Sequence, residues 1–196
     1  MEQLILYSFE PFDTLKTNPA AEVAKLVKEN NKQVMLLILP VTFDCGKILK
    51  ETIDRVKPNV VIGIGVAAGY SCVNLECYAL NEIYARIPDN NGNKPLLKKI
   101  SKDGNDAYRT SFDVNMAIEC FKEANVPVRL SFHAGMYVCN YSYYYALEYS
   151  SKNNTKSLFI HVPLSPEEVI SQEMNKPSLP TRDIANAVSS IIKQCK

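Results

Sequence analysis

The strongest constraint on the fold is an alternation of short apolar runs with segments whose apolar residues recur at helical spacing. The runs that are predicted to be strands cover residues 4–7, 34–39, 60–64, 126–130 and 157–162. Strands that alternate with helices are typical of a parallel sheet covered by helices on both faces. The sequence therefore predicts an α/β fold, and the uninterrupted apolar run at 34–39 predicts a strand that is buried on both faces.

Helix starts and one long irregular segment complete the predicted organisation. Asn18, followed by Pro19, predicts an N-cap, and we interpret Asp44 and Thr181 as N-caps of two further helices. The segment at 66–110 breaks the alternation and is rich in turn residues near its middle. Long loops in compact domains are often functional, so this segment is expected to contribute to a site.

Length and charge limit the domain count and the classes of partner. The 196 residues fit one domain spanning 1–196. The 22 basic and 21 acidic side chains give a net charge of +1, and no basic cluster dominates any segment. Nucleic-acid binding is therefore disfavoured. Membrane association is also not expected, because no run approaches the roughly 18 apolar residues that a spanning helix needs.

Cysteine usage bears on the compartment and on metal binding. The six cysteines are spread unevenly along a chain with no visible export signal, so we expect reduced thiols and a cytoplasmic protein. Cys72 and Cys77 lie close together, but no histidine is near them in the sequence. Because a zinc site needs about four ligands, no metal and no cofactor are expected.

Three side chains follow different predicted strands and could form a nucleophile, a base and an orienting group. Cys139 opens the helix predicted at 138–151, where unpaired backbone N–H groups favour a thiolate. His161 is one of two histidines and ends a buried strand, and Glu76 follows the strand at 60–64. Alone, each has an ordinary structural explanation: a buried thiol, a core histidine and a surface glutamate. Together, placed at one edge of the sheet, they match what thiol catalysis requires.

Four strings of residues resemble one known family. They are SFEPF at 8–12, ARIPDN at 85–90, AGMYVCNY at 134–141 and FIHVP at 159–163. In this order they resemble pyroglutamyl peptidase I, also called pyrrolidone-carboxylate peptidase, and the match covers nearly the whole chain. The resemblance implies a three-layer α/β/α sandwich of the phosphorylase/hydrolase-like kind, with a mixed, mainly parallel sheet.

The same resemblance implies an activity and a set of site residues. The family members are cysteine exopeptidases that remove N-terminal pyroglutamate from peptides and often form dimers or tetramers. By motif position, the triad is Glu76, Cys139 and His161. The walls around the pyroglutamyl ring are implied to be the apolar residues Phe9, Phe12, Ile87 and Val138. An apolar pocket suits this substrate, because its lactam ring is neutral.

The chain also departs from the family pattern. Ser8 stands in place of a glycine, Asp13 and Thr14 replace a glycine pair, Tyr70 replaces an arginine, and the segments at 91–110 and 131–133 are altered. A catalytically weak or inactive relative that binds a lactam or a peptide N-terminus is therefore the main alternative. A nucleoside-phosphorylase-like enzyme is a third, but no phosphate-binding glycine cluster is visible.

Overall fold

The computed structural model describes residues 3–12 and 15–195 of the chain. Its strands are β1 (Leu4–Phe9), β2 (Met35–Leu39), β3 (Val60–Val66), β4 (Val73–Glu76), β5 (Tyr78–Leu80), β6 (Ala107–Arg109), β7 (Val128–Ser131) and β8 (Lys156–Val162). Its helices are α1 (Pro19–Asn30), α2 (Cys45–Val56), α3 (Val114–Glu123), α4 (Val138–Lys152), α5 (Pro166–Ser171) and α6 (Thr181–Gln194).

The main sheet has six strands in the order β2-β1-β3-β8-β4-β7. The first four of these run parallel to one another. The other two run in the opposite direction, because β4 pairs antiparallel with β8 and β7 pairs parallel with β4. The predicted mixed, mainly parallel sheet is therefore confirmed, and β5 and β6 form a separate antiparallel pair.

The alternation of side chains along the strands divides the core into two layers. Along β1, Leu4 and Leu6 pack on the side of α1, α3 and α6, whereas Ile5 and Tyr7 pack on the side of α2 and α4. Successive side chains of a strand point to opposite faces, so an apolar strand can supply both layers. The result is the three-layer α/β/α arrangement that the family resemblance implied.

Three of the local predictions are corrected by the structure. The strand at 34–39 is not buried on both faces: β2 is an edge strand, and Met35 is 36% exposed. Asp44 takes the N-cap position of α2 with a helical backbone, and its side chain makes no capping hydrogen bond. Thr181 is the first residue of α6 rather than its cap, and Pro180 precedes it.

The segment at 66–110 is also more regular than the sequence indicated, since it contains β4, β5 and β6. Its turn-rich part is held by Asp89, whose buried carboxylate accepts hydrogen bonds from the backbone N–H groups of Phe43 and Asn93. Burial raises the pKa of Asp89, but these N–H donors outweigh burial and hold that pKa below its usual value. The carboxylate therefore stays charged and fixes this segment against the start of α2.

The predicted cap at Asn18 is confirmed and has a second role. Its side-chain oxygen accepts from the N–H groups of Ala20 and Ala21, as an N-cap should. Its side-chain amide donates to the carbonyl oxygens of Phe9 and Glu10, at 2.9 and 3.0 Å. One buried asparagine therefore joins the start of α1 to the end of β1, where the segment containing Phe9 and Phe12 begins.

Candidate active site

Cys139 lies in the first turn of α4, as the sequence predicted. The backbone N–H groups in this turn have no carbonyl partners within the helix and can bind an anion. The position of the turn is fixed by Asn140, whose side chain accepts from the Leu80 N–H at 2.8 Å and donates to the Leu80 carbonyl at 2.9 Å. The thiol is therefore held at the positive end of the helix dipole by contacts to β5.

A glycine in the sheet makes room for this thiol. A Cβ atom at Gly65, on β3, would lie 2.9 Å from Cys139 Sγ and 2.9 Å from the ring of Phe159. Carbon atoms at such a distance from sulfur or from a ring are in steric conflict. Gly65 pairs with His161 on the neighbouring strand, so the absent side chain lets the thiol reach the sheet beside the histidine.

His161 hydrogen-bonds to Glu76 and lies beside Cys139 in the fold. Its Nδ1 lies 2.7 Å from Glu76 Oε1, and the His161 and Glu76 side chains are 9% and 1% exposed. The Cys139 thiol lies against Gly65, which pairs with His161 on the neighbouring strand, and it is one of the groups that raise the pKa of the imidazole. The three residues that the sequence predicted as a triad are thus brought together at one place in the fold, with His161 and Glu76 in direct contact.

The contacts of His161 decide its charge. Burial disfavours the imidazolium, but the interactions with Cys139 and Glu76 outweigh burial and raise the pKa of His161 to about 10. At neutral pH the histidine is therefore protonated in the folded protein. A charged imidazolium beside a thiol stabilises the thiolate, which is the nucleophilic form of cysteine.

The way in which Glu76 reaches His161 differs from the prediction. The sequence placed the three groups after three strands that all end at one edge of the sheet, but Glu76 is the last residue of β4, which runs against β8. In that register Glu76 pairs with Phe159 and Asn74 pairs with His161. Side chains two residues apart on β8 share a face, so Glu76 and His161 meet on the face covered by α4.

A cleft of about 330 Å³ opens over these groups. Its lining combines the three polar groups with apolar and basic side chains: Phe9, Phe12, Asn18, Val41, Val66, Ala67, Ala68, Tyr70, Glu76, Arg86, His133, Ala134, Gly135, Tyr137, Val138, Cys139 and His161. A cavity of this size that is mostly apolar, with a few converging polar groups, is typical of a small-molecule or substrate site.

The implied substrate residues do not all lie in this cleft. Phe9 and Val138 are buried at 3% and 2% exposure and line it, and the partly buried Phe12 lines it as well. Ile87 is 44% exposed and lies in an adjoining depression that also involves Tyr84 and Met136 rather than in the cleft itself. The first three residues therefore surround the reactive groups, and Ile87 lies to one side of them.

The departures from the family pattern at Ser8 and Tyr70 lie within the described residues. Ser8 is buried within β1 and donates a hydrogen bond to the Ile64 carbonyl, while Asp13 and Thr14 lie outside the described residues. Tyr70 lines the cleft, and the guanidinium of Arg129 lies 5.3 Å from the centre of its ring. A cation is therefore still present near the position where the family has arginine.

His133 lines the cleft but is not among the site residues predicted from the sequence. Its Nδ1 accepts a hydrogen bond from the Gly135 N–H at 3.0 Å, and its exposed ring lines both the cleft and the adjoining depression. The turn depends on Gly135, whose φ of +80° is disfavoured for other residues. Its location just before Cys139 in the chain is the signal that could have indicated this placement.

No helix within 3–12 or 15–195 is long and apolar enough to cross a membrane. In the same ranges, no group of three or more His, Cys, Asp or Glu side chains could hold a metal ion.

An α/β fold in which a thiol at a helix N-terminus shares a cleft with a hydrogen-bonded imidazole and carboxylate is the arrangement that cysteine hydrolases use. Comparison with known proteins gives the family: residues 2–195 match the model of the pyroglutamyl peptidase family. The chain belongs to this family, and it is a peptidase, as the motifs predicted.

Individual relatives agree with this assignment over nearly the full chain. Pyrrolidone-carboxylate peptidase of Thermosipho melanesiensis is 36% identical, over 97% of this chain and 96% of its own. The structure of pyrrolidone carboxyl peptidase from Pyrococcus furiosus has a TM-score of 0.91 at 32% identity and covers 98% of this chain and 97% of its own. The Thermococcus litoralis enzyme has a TM-score of 0.89 at 32% identity, covering 98% and 92%.

Proposed function

We propose that this chain removes N-terminal pyroglutamate from peptides through a Cys139–His161–Glu76 triad and a thioester intermediate. The observation that carries the proposal is that these three side chains line one cleft with Phe9 and Phe12, and that His161 is hydrogen-bonded to Glu76 there. The family membership supports the same reaction class.

The chemistry follows from the roles of the three groups. The Cys139 thiolate attacks the carbonyl carbon that joins pyroglutamate to the next residue, and the negative charge moves to the carbonyl oxygen. Backbone N–H groups in the first turn of α4 stabilise that oxyanion. His161 then donates its proton to the departing amine, so the C–N bond breaks and a pyroglutamyl thioester remains on Cys139.

Hydrolysis of the thioester returns the site to its starting state. Neutral His161 accepts a proton from a water molecule, and the resulting hydroxide attacks the thioester carbonyl. The C–S bond breaks, free pyroglutamate leaves, and the thiolate and imidazolium are restored. Throughout, Glu76 accepts the Nδ1–H hydrogen bond of His161, which directs Nε2 towards the sulfur and the substrate.

The proposed recognition of the lactam is apolar. Phe9, Phe12 and Val138 line the cleft beside Cys139, and a neutral ring loses little solvation when it enters such surroundings. A free N-terminal ammonium would be costly to bury in the same place. This contrast accounts for selection of a blocked N-terminus over an ordinary one.

A pair of substrates tests the function directly. We expect hydrolysis of a pyroglutamyl aminocoumarin and no measurable hydrolysis of the prolyl aminocoumarin, which has the same five-membered ring but a charged amine. Release of coumarin fluorescence is the measurement. Binding of pyroglutamate without any turnover would instead favour the alternative of an inactive lactam-binding relative.

Phe12 is the better probe of the ring pocket. Phe9 packs edge-on against Tyr7 and contacts Phe159, so its loss would disturb the core as well. Phe12→Ala is expected to raise KM for the pyroglutamyl substrate about tenfold, because much of an aromatic contact worth about 1.5–3 kcal/mol is lost. Phe12→Leu should restore most of the affinity, and a wild-type KM in Phe12→Ala would contradict this role.

Compartment and assembly remain predictions. The six cysteines are all free thiols, which is consistent with a reducing compartment such as the cytoplasm. A dimer or tetramer is carried over from the family resemblance alone. Sedimentation of the purified protein would measure its mass in solution.

A further inference from the structure

Glu168 is a buried carboxylate that the proposed chemistry does not use. It lies in α5, and only 3% of the residue is exposed. Its Oε2 accepts a hydrogen bond from the Thr17 hydroxyl at 2.9 Å, and its Oε1 accepts one from the Lys16 backbone N–H at 3.2 Å. The side-chain amide of Gln172 also donates to Oε1. A carboxylate is seldom buried without such donors, so these contacts account for its position.

The segment that Glu168 holds is the continuation of the segment containing Phe12. The Leu15 N–H donates to the Phe12 carbonyl at 3.2 Å, and Lys16 and Thr17 follow directly in the chain. The hydrogen bonds to Glu168 therefore lie on the C-terminal side of Phe12. They join two parts of the chain that are about 150 residues apart.

The N-terminal side of the same segment is held by other groups. The Asn18 side chain donates to the Phe9 and Glu10 carbonyls, and the Glu10 N–H donates to the Leu39 carbonyl at 2.9 Å. These contacts hold the chain before Phe12. The two ends of the segment are thus fixed by different elements, and the hydrogen bonds at its C-terminal end are made to Glu168 of α5.

We propose that Glu168 is a positioning residue for the pyroglutamyl pocket. It holds the Lys16 backbone N–H and the Thr17 hydroxyl and thereby keeps Phe12 against the cleft that contains Cys139. This inference rests on the proposed function, because it assigns Phe12 to the wall around the lactam ring. Glu168 does not line the cleft, so its effect reaches the substrate through Phe12 and not by contact.

The proposal predicts a split between binding and chemistry. Glu168→Ala leaves the Lys16 N–H and the Thr17 hydroxyl without their acceptor and is expected to raise KM about tenfold, the loss expected for a hydrogen bond to a charged group. The kcat should stay within about threefold, because the triad is untouched. Glu168→Gln keeps one acceptor oxygen and should give an intermediate KM.

Ser165→Ala is the matched control in the same helix. The Ser165 side chain caps α5 by accepting from the Glu168 backbone N–H at 3.2 Å. Its loss should weaken the helix and lower the thermal midpoint while leaving the Glu168 carboxylate and KM unchanged. If Ser165→Ala raises KM as much as Glu168→Ala does, the effect belongs to the helix as a whole and the proposal is overturned.

Thr17→Val tests the hydrogen bond between Thr17 and Glu168 by removing its donor. Thr17 is exposed apart from this contact, so the variant is expected to fold even if Glu168→Ala does not. Its KM should rise, and in the double variant the two effects should be less than additive, because both substitutions remove one interaction. A wild-type KM in Thr17→Val together with a wild-type KM in a folded Glu168→Gln would overturn the proposal.

Failure of the proposed function would look different. A wild-type protein that hydrolyses no pyroglutamyl substrate contradicts the function, whatever Glu168 does. The positioning role would then be measured as weaker binding of pyroglutamate to Glu168→Ala by calorimetry. In either case the rate at which iodoacetamide alkylates Cys139 should be equal in wild type and Glu168→Ala, since the thiol and its partners are unaltered.

Discussion

Replacing Cys139 with alanine is expected to reduce hydrolysis of a pyroglutamyl amide by about 10⁴-fold or more, which is the usual effect of removing a catalytic nucleophile. The thiol is the nucleophile of the proposed mechanism, and the remaining side chains in the cleft offer no equivalent group at the N-terminus of α4. The measurement is the rate of coumarin release at saturating substrate, with wild type and variant side by side.

The variant should keep its fold and its affinity for the lactam. Cys139 is only partly buried, so the loss of its sulfur leaves a small gap at the cleft rather than a cavity in the core. Cys45→Ala is a matched control: that thiol is also near the start of a helix, but it is fully buried and packs in the core. Turnover by Cys139→Ala at more than a few per cent of the wild-type rate would rule out the thioester mechanism.

Much of the site could be predicted from local patterns, because Cys139 and His161 depend on elements that are visible in the sequence. An apolar run predicts the strand of His161, and a helix that follows a strand predicts the environment of Cys139. Both placements are confirmed. Local patterns suffice here because each group is placed by its own strand or helix.

Glu76 is different, because its position depends on a long-range register. The segment Val73–Glu76 does alternate apolar and polar residues, which is the signal of a strand, but a strand this short is easily missed. Its antiparallel direction beside β8 brings together residues that are 85 positions apart. Nothing within four residues specifies which strand they pair with or in which direction.

Glu168 shows the same limit at a second position. Ser165, Pro166 and Glu168 form a pattern that is typical of the start of a helix such as α5, which is not among the predicted helices. The pattern places the backbone of Glu168 in the first turn of a short helix. It does not indicate that the carboxylate is buried against Lys16 and Thr17, since that contact depends on how β1 and α5 are placed in the finished fold.

Replacing Glu76 with glutamine is expected to lower kcat by about 10²–10⁴-fold, because the amide can present either its oxygen or its NH₂ group to His161 and no longer stabilises the imidazolium. The substitution should also change the pH dependence of activity. In the wild type, activity should fall as pH rises through about 10, where His161 loses its proton. Glu76 is one of the groups that raise this pKa, so in Glu76→Gln the alkaline limb should move to lower pH.

The same proton links activity to stability. The pKa of His161 is about 10 in the folded protein and about 6.5 in an unfolded chain, so the folded state binds the proton more tightly. The stabilisation is therefore complete below pH of about 6.5 and is lost as pH rises towards 10. Glu76→Gln should reduce this pH-dependent part of the free energy of unfolding, measured by denaturant titration at several pH values.

Glu119→Gln is the control that separates the effects of Glu76→Gln on activity and stability from those of a general loss of negative charge. Glu119 is exposed and pairs with Lys122 on α3, and it does not line the cleft. An exposed pair of this kind contributes about 0–1 kcal/mol to stability. The pH dependence of activity and the free energy of unfolding of Glu119→Gln should therefore match those of the wild type. If Glu76→Gln also retained the wild-type alkaline limb and kcat, Glu76 would not orient or charge the histidine. The contact between His161 and Glu76 would then serve the packing of β4 on β8 and not catalysis.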